Sequence, residues 1–247
     1  MTSLENQLRG STLDRQRGLV YLDAGCLAEA RHAFEQSSVE AVDTADFSLA
    51  AQQAWTQYLL ELADGYEAWK TGNLVKAKEI FAKSSDEGMP HDVNQRAVFA
   101  LAELLMQNPD PILWKDLEQK LTFFDEHGFW KARRYRMMYG LTPANAEERI
   151  RLLESKLAAD LPVAERLEDQ TILAEVLAGA NRLGEAELLT RDMEEDVGLK
   201  AVAVDLRAEY VRVCMSIAGR QVEFGNTRAQ ARLEKYQSAL REMYAPQ

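Results

Sequence analysis

GYEAWKTGNLVKAKEIFAKSS, residues Gly65 to Ser85, repeats the skeleton of GLVYLDAGCLAEARHAFEQSS, residues Gly18 to Ser38. In both stretches glycine is followed seven residues later by glycine, five later by alanine, four later by phenylalanine, and three later by a Ser-Ser pair. The offsets 65−18, 72−25, 77−30 and 81−34 are all 47, so the chain contains an internal repeat. Gly25 and Gly72 each follow a periodic apolar run and each precede a leucine by two residues, which is where one helix stops and the next starts. Glycine there takes the left-handed conformation that closes a helix without a Cβ clash. Gly18 and Gly65 fall inside the first helix of each pair, where glycine costs about 1 kcal/mol relative to alanine, and that cost points to close packing. Ala30 with Phe34, and Ala77 with Phe81, stand at i and i+4 on the second helix, so the small residue admits the partner helix and the large one fills the space beside it.

Gly, aromatic, Gly, Ala, Phe over one helix-turn-helix unit resembles the tetratricopeptide repeat. Gly18, Tyr21, Gly25, Ala30 and Phe34 match that skeleton once, and Gly65, Gly72, Ala77 and Phe81 match it again. The stretch from Phe81 to Gly88 is similar to the related Sel-type repeats. This chain departs from the pattern in several places. Asp14 and Arg17 replace the early Trp and Leu, Ser37 and Ser84 replace the late Ala, and the closing Pro occurs only near the second unit, as Pro90. The period of 47 also exceeds the usual length of about 34, so extra residues lie between the units. The resemblance implies an all-α, right-handed superhelical stack of antiparallel helical hairpins, an α-solenoid.

Along the rest of the chain the pattern stays helical. Residues 1–10 read as a loosely ordered polar lead-in, and Asp43, Thr44 and Asp46 are candidate caps for a long helix from Phe47 to Thr71. Helices from Asp92 to Gln107, Ile112 to His127 and Phe129 to Tyr139 follow, broken by NPDP at Asn108 to Pro111 and by Gly128; the last two read as a third, drifted hairpin. Thr142 and Pro143 form a cap and first-turn pair after a composition break. They place a boundary between residues 1–141, the repeats, and 142–247, a C-terminal helical or capping region. Helices follow from Ala144, Val163, Gly184, Leu199 and Arg228, with Asn181 standing in for a turn glycine.

A net charge of −11 opposes general binding to polyanions. The chain has no run of 18 apolar residues and its opening MTSLENQLRG has no signal pattern, so the expectation is a soluble, cytoplasmic protein without a membrane segment. Cys26 and Cys214 lie far apart with no CxxC partner, and His32, His91 and His127 share no short spacing. Phosphate loops, nucleophile elbows and dinucleotide-binding turns are lacking. Glu147-Glu148 and Glu194-Glu195-Asp196 are adjacent residues that point to different sides of a helix. The expectation is therefore a non-enzymatic chain with no catalytic residue, no metal and no cofactor.

Two candidate sites remain. The resemblance places Arg15, Leu19, Leu22 and Asp23, then Leu62, Tyr66, Trp69 and Lys70, on the face where the first helices of such a stack bind extended peptides. Leu19 and Tyr66 stand where the chaperone-binding members of the family carry asparagines, so the groove suits a hydrophobic or helical protein partner better than a terminal carboxylate. The second candidate is FWKARRYRMMY, Phe129 to Tyr139, where Trp130, Arg133, Arg134, Tyr135 and Arg136 interleave charge and rings in an acidic chain. Such a patch contacts nucleic acid or an acidic partner if its arginines face outward, as in a regulatory subunit, and is spent internally if they pair with the chain's own carboxylates.

Overall fold

The computed structural model describes residues 3–39, 48–195 and 203–243, and these form an all-α protein with twelve helices and no strand among the described residues. The chain divides into two compact units, Met1–Phe123 and Phe124–Gln247. That division falls inside the sixth helix, upstream of the composition break at Leu141 and Thr142.

The first unit contains α1 (Ser3–Asp23), α2 (Leu27–Val39), α3 (Leu49–Lys70), α4 (Leu74–Ser84), α5 (His91–Gln107) and most of α6 (Pro111–Glu126). α1 pairs with α2 and α3 with α4; α2 then packs on α3, and α5 on α3 and α4. The matched skeleton explains the pairing. Ala30, Phe34, Ala77 and Phe81 are all fully buried. A Cβ built on Gly65 would stand 2.6 Å from Phe81 Cε1, and one built on Gly18 would collide with the Phe34 ring in the same way. Each phenylalanine ring therefore packs directly against the backbone of the preceding helix, an approach only glycine permits. Ser11 and Ser37 add a buried polar tie between α1 and α2, the Ser11 hydroxyl donating to the Ser37 carbonyl at 2.8 Å.

One closure recurs through the chain. At Gly25, Gly72, Gly128, Asn181 and Gly225 φ is positive, and the next amide donates back five residues. Cys26 donates to Tyr21, Asn73 to Ala68, Phe129 to Phe124, Arg182 to Leu177 and Asn226 to Gln221, all at 2.8–2.9 Å. This is the Schellman arrangement, which satisfies the last carbonyls of a helix while turning the chain. Asn181, at φ 64°, occupies the left-handed position as expected.

The second unit contains α7 (Trp130–Met138), α8 (Pro143–Leu157), α9 (Val163–Gly179), α10 (Leu183–Glu195), α11 (Val204–Glu223) and α12 (Arg228–Met243). α9 is its axis, packing against α7, α8, α10 and α11, while α11 pairs with α12. Ile172, Ala174 and Val176 are buried on α9 among residues of α8, α10 and α11. The backbone N–H of Thr142 donates to Asn145 Oδ1 at 2.9 Å, and Pro143 begins α8, as the cap reading required.

Three expectations change. Helix α1 begins at Ser3, so residues 3–10 are not a loose lead-in. α6 and α7 are not a third hairpin, because α7 lies against α9, drawn there by its own apolar and arginine side chains. The cap of α3 is Ser48, whose Oγ accepts from the Ala51 amide at 3.2 Å. Asp43, Thr44, Asp46 and Phe47, the Leu199 start, Asp196 and Tyr244 lie outside the described residues.

Candidate binding groove

Down one side of α3 runs a stripe of Trp55, Tyr58, Leu62, Tyr66 and Trp69, spaced by three or four residues. The positions nearest the core are sealed, Leu62 fully so. Near the start of α3, Trp55 and Tyr58 stand half-buried and face α1 and the turn into α5. Between these elements is an open groove of about 810 Å³, lined among others by Arg15 and Leu19 of α1, Ala54, Trp55 and Tyr58 of α3, and Pro90. The Trp55 indole N–H donates to Asp92 Oδ1 at 3.0 Å, which fixes the ring. The Arg15 guanidinium lies over that ring, 4.3 Å from its centroid. Burial holds Arg15 below its ordinary pKa, with Asp92 pulling partly back.

A smaller hollow of about 370 Å³ lies at the other end of the stripe, lined by Gly25, Leu27, Tyr66, Trp69 and Lys70. Tyr66 stacks on Trp69 at 6.4 Å between centroids and meets the edge of Phe81 at 5.1 Å, so the wall of the hollow is rigid. Burial, with Asp23 adding and Arg96 opposing, pushes the Tyr66 hydroxyl up.

The eight residues placed on this face by the resemblance thus separate. Arg15 and Leu19 line the large groove, and Tyr66, Trp69 and Lys70 line the small hollow. Leu22 and Leu62 are core. Asp23 is exposed but engaged, receiving Arg96 Nε at 3.0 Å and Nη2 at 2.9 Å. Trp55 and Tyr58 are lining residues that the repeat offset does not reach, because their counterparts 47 positions earlier fall before the matched stretch. Their spacing with Leu62, Tyr66 and Trp69 is the signal that finds them.

In the second unit the basic stretch is satisfied from within. Arg134 Nε and Nη2 donate to the two oxygens of Glu175 at 2.6 and 2.7 Å, and its Nη1 lies 3.5 Å from Glu209. Burial lowers its pKa, but Glu175 and Glu209 more than compensate and hold it above its ordinary value. Arg133 bridges Asp125, at 2.9 Å, and Asp169. Arg136 also reaches Asp125, at 2.9 Å. Asp169 is fully buried on α9 and forms an ion pair with Lys156 as well, Nζ lying 2.7 Å from Oδ2. Tyr135 is buried, and Trp130 packs against both apolar clusters of this unit. With their charge met by acids, Arg133, Arg134 and Arg136 offer a polyanion little.

Cys26 is exposed and Cys214 buried. His32, His91 and His127 are exposed. Among the described residues no three His, Cys, Asp or Glu side chains converge as metal ligands, and no helix is long and apolar enough to cross a membrane. No family model matches the chain, and no curated protein or solved structure matches it either.

Proposed function

We propose that this chain is a non-enzymatic scaffold of tetratricopeptide-like hairpins, stacked as a right-handed superhelix, that holds a protein or peptide partner in the α1–α3–α5 groove. The carrying observation is the groove itself: about 810 Å³ of open space, with Trp55 and Tyr58 offering apolar area at its floor. Soluble chains seldom leave such concave apolar surface without a ligand for it. The superhelical reading is supported by the two hairpins' equivalence, with Ala30 and Ala77 equally sealed and Gly25 and Gly72 both left-handed. Rigid rings reached from neighbouring helices are what a helical or extended segment needs to be gripped without prior rearrangement. As an adaptor in the cytoplasm, the protein takes its role from the segment it holds.

Affinity purification with mass spectrometry tests the reading, run on wild type, on Trp55→Ala with Tyr58→Ala, and on Tyr66→Ala with Trp69→Ala. The first pair should remove a partner that wild type recovers, with far-ultraviolet circular dichroism unchanged. Unchanged recovery by both double variants would sink the groove.

A further inference from the structure

The groove contains a charge that, among the described residues, no hydrogen bond or ion pair answers. Arg15 is 9% exposed, yet its Nε has no hydrogen-bond partner, and among the described residues its guanidinium makes no ion pair. Asp92, the acid that acts on it, is turned elsewhere, its Oδ1 accepting from the Trp55 indole at 3.0 Å and the Val93 amide at 2.9 Å. A guanidinium cannot shed its proton to escape burial. It stays charged, stabilised by the face of Trp55 and, without a hydrogen bond, by the field of Asp92.

Acids are not scarce in this chain, which has 40 against 29 basic residues. Arg31, Arg96, Arg133 and Arg134, each with a side chain under a third exposed, all reach a carboxylate within 3 Å. Arg15 reaches none; Arg207 also has an unpartnered Nε, but of the two Arg15 is the one that lines the groove. Stacked on a ring, a guanidinium keeps its N–H edge free, and that edge matches a carboxylate through two parallel hydrogen bonds. Leu19, Ala54, Tyr58 and Pro90 surround it with apolar or ring surface.

We infer that the groove takes a peptide segment carrying an aspartate or glutamate side chain between apolar residues, with the carboxylate meeting Arg15 and its neighbours covering Trp55 and Tyr58. This rests on the groove being the partner-binding face. It narrows the partner to one chemistry, because a neutral glutamine in the same place leaves the guanidinium without a counter-charge. It also makes Arg15 a residue kept for the bound state and a burden in the free one.

Two measurements on the full chain test this. The first is thermal unfolding of wild type and Arg15→Met. Removing an unanswered buried charge while keeping similar bulk should raise Tm by about 2–4 °C. A fall in Tm would mean that Arg15 is held by the fold, and would overturn the inference. The second is selection from a displayed random dodecapeptide library against wild type, Arg15→Met, and Trp55→Ala with Tyr58→Ala. Wild type should enrich Asp or Glu flanked by apolar residues. Synthetic, C-terminally amidated versions of the selected peptides should lose at least about tenfold in affinity on Glu→Gln exchange or against Arg15→Met. Peptides that need Trp55 and Tyr58 but show no acidic enrichment would overturn the carboxylate while leaving the groove. Failure to select any peptide that depends on Trp55 and Tyr58 would remove the groove and the inference together.

Discussion

Arg15 in the first unit and Arg134 in the second are both largely out of water, and their electrostatic states are opposite. Arg134 is clamped by both oxygens of Glu175 with Glu209 nearby, and its pKa is raised. Arg15 rests on Trp55 without a carboxylate of its own, and its pKa is lowered. The basic stretch that stands out in the sequence is thus spent on holding α7 to α9 and α11. The arginine that stands out in the structure is, in the sequence, one of eight residues on the candidate face and one charge among several on α1. Local density of like charges says little about availability, because a helix places its residues around a circle and the acids that meet them come from distant positions.

The largest expected effect breaks the second half of that contrast. Arg134→Met should cost about 3 kcal/mol in urea unfolding, because it takes from the poorly hydrated Glu175 its bidentate partner and leaves Glu209 to Arg212. A neutral result there would make the two arginines alike. Within the first unit, Gly65→Ala should cost about 1–3 kcal/mol, since the added methyl must displace Phe81, which Tyr66 and Trp69 hold on two sides. Gly18→Ala should cost comparably, and a large gap between the two would show the hairpins to be less equivalent than their geometry. Gly72→Ala meets no neighbouring atom, so its cost should be that of a left-handed alanine alone, about 1 kcal/mol.

The smallest effect is one of pH and belongs to the second unit. Glu168 is raised from its ordinary 4.5 to about 6 by burial, with Arg133 pulling it back and Asp169 and Glu165 pushing it further. Its folded state therefore binds a proton more readily than its unfolded state. Stability should rise as pH falls from 7 towards 4.5, and the penalty should be fully present above about 6. Glu168→Gln should lie above wild type in Tm at pH 7, and the difference should vanish by pH 4.5. A gap that does not change with pH would assign the effect to packing.

The helices, their turns and the left-handed residues were legible because each depends on local chemistry. Glycine or asparagine after an apolar run, Thr-Pro at a helix start and the alanine–phenylalanine spacing act within a few residues. The pairing of α7 was not legible, because Arg133 and Arg134 find Asp169 and Glu175 about forty positions onward, a distance no local pattern spans. The groove was legible in part. Arg15, Leu19, Tyr66, Trp69 and Lys70 were on the face named, but Leu22 and Leu62 turn inward, and Asp23 is taken by Arg96 from α5. Which residues of an amphipathic face stay open depends on where the next helix ends, and here the turn at Gly88 to Pro90 leaves Trp55 half-buried at the edge of the groove.

The recurring five-residue back-bond at Gly25, Gly72, Gly128, Asn181 and Gly225 has a kinetic corollary. When most helices find their first neighbour immediately across a tight corner, little loop entropy is lost before a contact forms. Collapse can then begin at several corners independently, and hydrogen exchange should resolve the chain into helical pairs that open separately, each built around one such corner.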